Sequence, residues 1–138
     1  MGKAHRRWLK AVKKWQTNCW LLDWTFSIET SRDKISDSQG SGGYDVAGKA
    51  EYTPGYHLAT VTGWEEAIED ATDEKVNEIA CHETCHVVQG RLDVFVGQLI
   101  QSLPASARQL ADSQWDEVKE STISHWTRIL TRMDRRGR

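Results

Sequence analysis

The feature that most restricts the fold of this chain is an alternation over positions 20–29, which places five apolar residues on one face and, apart from Leu21, polar residues on the other. A period of two predicts a β-strand with one buried face, and such a face must be covered by a second layer. Residues 4–18 can supply that layer, because they have the pattern of an amphipathic helix with Lys and Arg on the opposite side. Its apolar residues recur at helical spacing: Trp8, Val12 and Trp15.

Two weaker alternating runs predict further strands at residues 44–52 and 56–62. The Thr-Pro-Gly turn between them suits an antiparallel hairpin. Residues 30–43 are rich in Ser, Asp and Gly and are expected to form a flexible loop. The order is helix, strands and then helices to the end. We therefore expect one α+β domain over residues 1–138, with a short, mainly antiparallel sheet of about three strands.

The predicted helices after the sheet have local start and stop signals. Thr72, followed by two acidic residues, indicates the start of one helix, and Gly90 is a suitable end. A second helical pattern occupies residues 92–103. A third is expected to begin near Ser113 and to fray in a basic tail at residues 134–138.

Composition limits the function classes. The chain has 138 residues and a formal net charge of -2, which is too small to steer the whole molecule onto nucleic acid, although both ends are basic. It shows no secretory signal and no apolar stretch approaching the roughly 20 residues of a membrane span, so we expect a cytoplasmic protein without a membrane anchor. Three sparse cysteines, expected to remain thiols, agree with that compartment: Cys19, Cys81 and Cys85.

The strongest chemical motif is the segment His-Glu-Thr-Cys-His at residues 82–86. Residues four apart lie on one face of a helix, so His82 and His86 can present two imidazole nitrogens to one zinc ion. Glu83 lies about 100° around the helix, where it can contact a water at the metal rather than the metal itself. Zinc would acidify that water and polarise a substrate carbonyl, and Glu83 would act as general base.

The segment 77–90, NEIACHETCHVVQG, resembles the active-site helix of zincin metallopeptidases, and the order of elements is similar to that of small gluzincins. The resemblance implies a zinc-dependent peptidase that acts on peptide or protein substrates. It also implies that a later helix brings a glutamate as third zinc ligand. Finally, it implies that the last strand before the motif helix, residues 56–62, lies along the cleft and pairs with an extended substrate.

Three residues compete for the third ligand position. On the C-terminal helix, Glu117 points away from the apolar stripe expected to be buried, which is formed by Trp115, Val118, Trp126, Ile129 and Met133. Glu120 lies closer to the flank of Ile123 and Leu130 and is the preferred ligand. Asp93 follows the motif helix, but it comes one residue later than the spacing of zincins that take their third ligand there.

Other functions are also compatible with the sequence. A zincin-like domain can lose catalysis and keep its cleft or metal as a binding site. The basic N-terminal helix could contact nucleic acid through Lys10, Lys13 and Lys14, although tryptophans at helical spacing are more often core. The Cys and His residues of the motif could be read as a lengthened haem-attachment pattern, but no export signal accompanies it. His57 and His125 have no assigned role.

Overall fold

The computed structural model describes residues 2–36 and 45–137. The N-terminal helix α1 spans Lys3–Asn18, and its buried residues are Ala4, Trp8, Val12 and Trp15, as the helical spacing predicts. Trp8 is fully buried and donates a hydrogen bond from Nε1 to the carbonyl of Val61, at 3.3 Å. A Cβ on Gly63 would lie 2.8 Å from the Trp8 ring, so the close approach of α1 to the sheet requires glycine there.

In the described residues, five strands follow: β1 (Thr25–Ser31), β2 (Ile35–Ser36), β3 (Asp45–Val46), β4 (Gly48–Thr53) and β5 (Leu58–Trp64). The three longer strands form one sheet in the order β1-β5-β4. The pair β4 and β5 is antiparallel, as predicted for the hairpin, whereas β1 and β5 are parallel. The sheet is therefore mixed rather than mainly antiparallel, and the coarse α+β class holds.

The strand predicted at residues 20–29 begins later than its alternation indicates. Trp20 has a φ of 58° and is 85% exposed. It ends α1 in a Schellman arrangement, in which the Leu21 N–H bonds to the Gln16 carbonyl and the Trp20 N–H bonds to the Thr17 carbonyl. Because these capping bonds hold residues 19–21, the strand begins only at Thr25. Of the loop predicted at 30–43, residues 30–31 and 35–36 are in strands, and residues 37–43 lie outside the described ranges.

The remaining chain is helical: α2 (Glu65–Asp70), α3 (Asp73–Val88), α4 (Gly90–Gln101) and α5 (Ala105–Arg136). Thr72 caps α3, and its side chain accepts from the Lys75 N–H at 3.1 Å, as predicted. The start predicted near Ser113 is wrong, because α5 begins directly after Pro104. No Gly or Pro interrupts the 32 residues of α5, so the capping signal of Ser113 is overridden.

The buried side of α5 also differs from the predicted apolar stripe. Val118, Trp126 and Met133 are each at least half exposed, whereas Ile123, Thr127 and Thr131 are buried. The Thr127 hydroxyl donates to the Ile123 carbonyl, and the Thr131 hydroxyl donates to the Thr127 carbonyl. Since these polar groups are satisfied within the helix, the small threonines can face α3 at little cost.

Candidate metal centre

Helix α3 presents the two motif histidines on one face. Their ring centroids lie 5.1 Å apart with the planes inclined by 69°. The side chains are partly buried, with 26% of His82 and 13% of His86 exposed. The face beneath them belongs to the core, because Ala80 and Cys81 are fully buried. The histidines therefore lie on a fixed helix at the edge of the core, where both rings can reach solvent.

Glu120 on α5 completes the group. Its Oε2 lies 3.4 Å from Nε2 of His82, and its Oε1 lies 3.0 Å from Nε2 of His86. One ligand atom from each residue lies within 4.8 Å of the other two, and among the described residues no other set of three His, Cys, Asp or Glu is spaced in this way. Donors bound to one tetrahedral zinc at about 2.1 Å are separated by about 3.4 Å. Two imidazoles and one carboxylate at this spacing fit a shared zinc ion.

Electrostatic coupling holds the three side chains together. The hydrogen bonds from His82 and His86 keep the pKa of Glu120 well below its usual range, so the carboxylate is ionised. Burial alone lowers the pKa of His82, but the hydrogen bond to Glu120 and the negative charge of Glu83 outweigh it and raise that pKa. The site thus places negative charge where a cation would bind.

The two competing ligands serve other purposes. Asp93 accepts hydrogen bonds from Tyr52 Oη at 2.5 Å, from Trp115 Nε1 at 2.6 Å and from Lys119 Nζ at 3.2 Å. Burial raises the pKa of Asp93, but these donors more than offset that effect and hold it below its usual value. With three donors on its carboxylate, Asp93 is a structural anchor for α5. Glu117 is exposed on α5 and does not join the histidines.

Tyr52 is a residue near the centre that sequence reasoning missed. It lies near the end of β4, and its ring packs so closely on Gly90 that a Cβ there would approach Tyr52 Cδ2 to 2.8 Å. Burial, the hydrogen bond to Asp93 and the charges of Glu120 and Glu83 all raise the pKa of Tyr52, so its phenol stays protonated. The only sequence signal was its place in an alternating run, which predicts a strand and not a site.

Glu83 lies beside the start of β4. It is 8% exposed, and a Cβ on Gly48 would lie 3.0 Å from Glu83 Cγ. Glu83 and His82 also line a cleft of about 300 Å³ between β4, α3 and α5. The glycine leaves room for the Glu83 side chain, which lines the cleft next to the candidate metal-ligand group (His82, His86 and Glu120).

The prediction that the strand at residues 56–62 pairs with substrate is wrong. β5 is bonded along its length to β1 on one side and to β4 on the other, so neither of its edges is free for an extended peptide. The edge strand next to α3 is β4 instead. The sequence could not show this, because strand order depends on pairing between distant segments.

The remaining candidates lie outside the group. His57 stacks on Trp24, with ring centroids 5.1 Å apart, and its Nδ1 is 3.0 Å from Asp23. His125 is exposed on α5 and does not join the histidines. Cys19, Cys81 and Cys85 are free thiols, as predicted, and contribute to the core or pack against it.

Several charges of the basic ends are used in ion pairs within the fold. Arg7 pairs with Asp73 at 2.8 Å, and Lys14 pairs with Asp134 at 2.6 Å. Arg135 pairs with Glu74 on α3. The Arg7 and Arg135 pairs join α1 and α5 to α3, and the Lys14 pair joins α1 to α5. They leave Lys10 and Lys13 as exposed positive charges on α1.

Comparison of the chain with protein-family models, with curated proteins and with solved structures returns no match. Among the described residues, no helix is both long and apolar enough to cross a membrane.

Proposed function

We propose that this chain is a zincin-like, zinc-dependent metallopeptidase. The observation that carries the proposal is the convergence of Glu120 with His82 and His86, whose Nε2 atoms lie 3.4 and 3.0 Å from its two carboxylate oxygens. Thirty-four residues separate Glu120 from His86, and they come together because α5 packs along α3. A chance pair of histidines on one helix would have no reason to meet the carboxylate of a distant helix at these distances.

Each residue of the site has a separate task in the proposed reaction. His82, His86 and Glu120 would hold the ion, and zinc so held supplies Lewis acidity toward a water molecule and a substrate carbonyl. Glu83 accepts a proton from the attacking water and returns it to the leaving amine. Its position in the cleft suits this role, since it adjoins His82 without belonging to the metal-ligand group.

The substrate backbone is expected to add to β4. That strand is the edge of the sheet next to α3, and an extended peptide can gain main-chain hydrogen bonds along such an edge. Glycine at the start of β4 lets the strand approach Glu83 closely. A peptide paired there would pass the proposed general base.

Metal analysis and a cleavage assay on the purified protein test the proposal together. We expect about one zinc per chain, with loss of zinc in His82→Ala, His86→Ala and Glu120→Ala. Glu83→Gln should keep zinc and lower the rate of peptide cleavage by at least 100-fold, because the general base is removed without a ligand. Glu117→Ala is the matched control on α5 and should keep both zinc and activity. Absence of zinc from the native protein contradicts the metal site, whereas bound zinc without cleavage contradicts catalysis alone.

A further inference from the structure

The cleft beside Glu83 is lined by a positive charge that pairs with no acid in the described ranges 2–36 and 45–137. Two basic side chains line it, Lys75 from α3 and Arg128 from α5. Lys75 Nζ lies 3.0 Å from Glu78 Oε1 and is paired there. Across residues 2–36 and 45–137, the Arg128 guanidinium has no ion pair and no hydrogen bond. Arg128 therefore offers all of its donors to whatever enters the cleft.

The position of Arg128 relative to the metal-ligand group limits where its partner can lie. Arg128 follows Glu120 by eight residues on α5, which is about 12 Å along the helix axis. An extended peptide advances about 3.3 Å per residue, so this distance corresponds to three or four residues of substrate. The cleft of about 300 Å³ continues from His82 and Glu83 to Arg128, which leaves room for side chains of a bound peptide.

The chemistry of the cleft favours a carboxylate as the partner of Arg128. A guanidinium presents two parallel N–H groups that match both oxygens of a carboxylate, and this arrangement is stronger than a neutral hydrogen bond. Ser124, one turn earlier on α5, also lines the cleft, and in the described part of the chain its hydroxyl has no partner. Thr127 is different, since its hydroxyl donates to the Ile123 carbonyl.

We infer that Arg128 determines substrate specificity, selecting peptides that carry an Asp or Glu side chain within about four residues of the scissile bond. The inference rests on the proposed peptidase function and adds the substrate class to it. It requires only that a peptide crosses from the metal-ligand group along the face of α5.

Peptide hydroxamates, which bind active-site zinc without being cleaved, provide the test on the zinc-loaded full chain. Two matched series carry either Glu or Gln at each of the four positions on either side of the zinc-binding group. For the native protein we expect about tenfold tighter binding of Glu than of Gln at one position, measured by calorimetry. Arg128→Gln should lose this preference, and Arg128→Glu should bind the Gln peptide at that position more tightly than the Glu peptide, while both variants keep one zinc per chain.

Arg132→Gln is the matched control, because Arg132 is an exposed residue one turn further along α5 and does not line the cleft. It should keep the native preference for Glu. Equal affinity for Glu and Gln at every position in the native protein overturns the inference and leaves the peptidase proposal standing. An equal loss of the preference for Glu in Arg128→Gln and Arg132→Gln also overturns it, since that result would indicate only the general electrostatic effect of removing a positive charge. If the native chain holds no zinc, the proposed function fails first, and the inference fails with it.

Discussion

Asp93 shows how a residue with the right chemistry for a ligand can serve the scaffold. Its carboxylate accepts from Tyr52 on β4 and from Trp115 and Lys119 on α5. Lys119 directly precedes Glu120. Its bond to Asp93 therefore also holds in place the part of α5 that carries the proposed ligand. Its spacing from the motif made Asp93 the second choice as a ligand, and the donors around its carboxylate show the contacts that it makes instead.

We expect Asp93→Asn to lower the free energy of unfolding by about 1–2 kcal/mol at neutral pH, because Lys119, whose side chain is 12% exposed, loses the nearer of its two counter-ions, at 3.2 Å, and Asp116 lies farther away at 3.6 Å. The pKa of Asp93 in the folded protein lies below its unfolded value of about 4. Its contribution is therefore present above pH 4 and is lost as the pH falls through the folded-state pKa. Urea unfolding should show a constant difference between native and variant from pH 7 to pH 5, and a smaller one below pH 4.

Asp112→Asn serves as the control for that experiment, since Asp112 is an exposed acid on the same helix. Its effect on stability should stay within about 0.5 kcal/mol. A difference between native and Asp93→Asn that persists unchanged to pH 3 contradicts the assignment of stability to the ionised carboxylate.

At the scale of single elements, local signals predicted α1, the cap of α3 and the β4–β5 hairpin, because helical spacing and turn residues act over a few positions. The alternation at residues 20–29 predicted too early a start for the strand. The N–H groups of residues 20 and 21 bond instead to the carbonyls of Thr17 and Gln16 at the end of α1. On α5 the apolar stripe indicated the wrong face, since two buried threonines satisfy their own hydroxyls. The preference for Glu120 depended on its position near the flank of Ile123 and Leu130, and Ile123 is fully buried.

The packing of α3 between α1 and α5 depends on Asn77. Its Oδ1 accepts from Trp15 Nε1 at 2.9 Å and from Lys14 Nζ at 3.1 Å, while Lys14 also pairs with Asp134. We expect Asn77→Ala to lower the free energy of unfolding by about 2 kcal/mol, because the indole N–H of the buried Trp15 loses its acceptor. Chemical denaturation measures the effect.

The neighbouring substitution Glu78→Ala separates this effect from a general change in α3. Glu78 forms an exposed pair with Lys75, so its removal should change the stability by less than about 1 kcal/mol. Equal effects of the two substitutions would show that the contacts of Asn77 do not stabilise the helix packing.

At the scale of the whole molecule, the proposed centre depends on contacts that no local pattern contains. The parallel pairing of Thr25 with Leu58 joins segments 33 residues apart, and it places β5 in the middle of the sheet and β4 at its edge. The position of α5 follows from its packing on both α3 and α4. Spacing along the sequence is therefore enough to propose the residues of the candidate site, whereas the cleft around them depends on the topology and could not be predicted.

Because the proposed ligands come from α3 and α5, zinc should stabilise the whole fold and not only the site. A ligand that binds the folded state alone adds about 4 kcal/mol when it is 1,000-fold above its dissociation constant. For a chain of this length, we expect removal of zinc by a chelator to lower the melting temperature by about 10 °C or more.

His82→Ala should melt close to the chelated native protein and should not respond to the chelator. Added zinc should restore the native melting temperature, whereas added magnesium should not, because the two imidazole ligands favour zinc. A native protein that holds one zinc yet melts at the same temperature with and without chelator would show that the ion does not bridge the two helices.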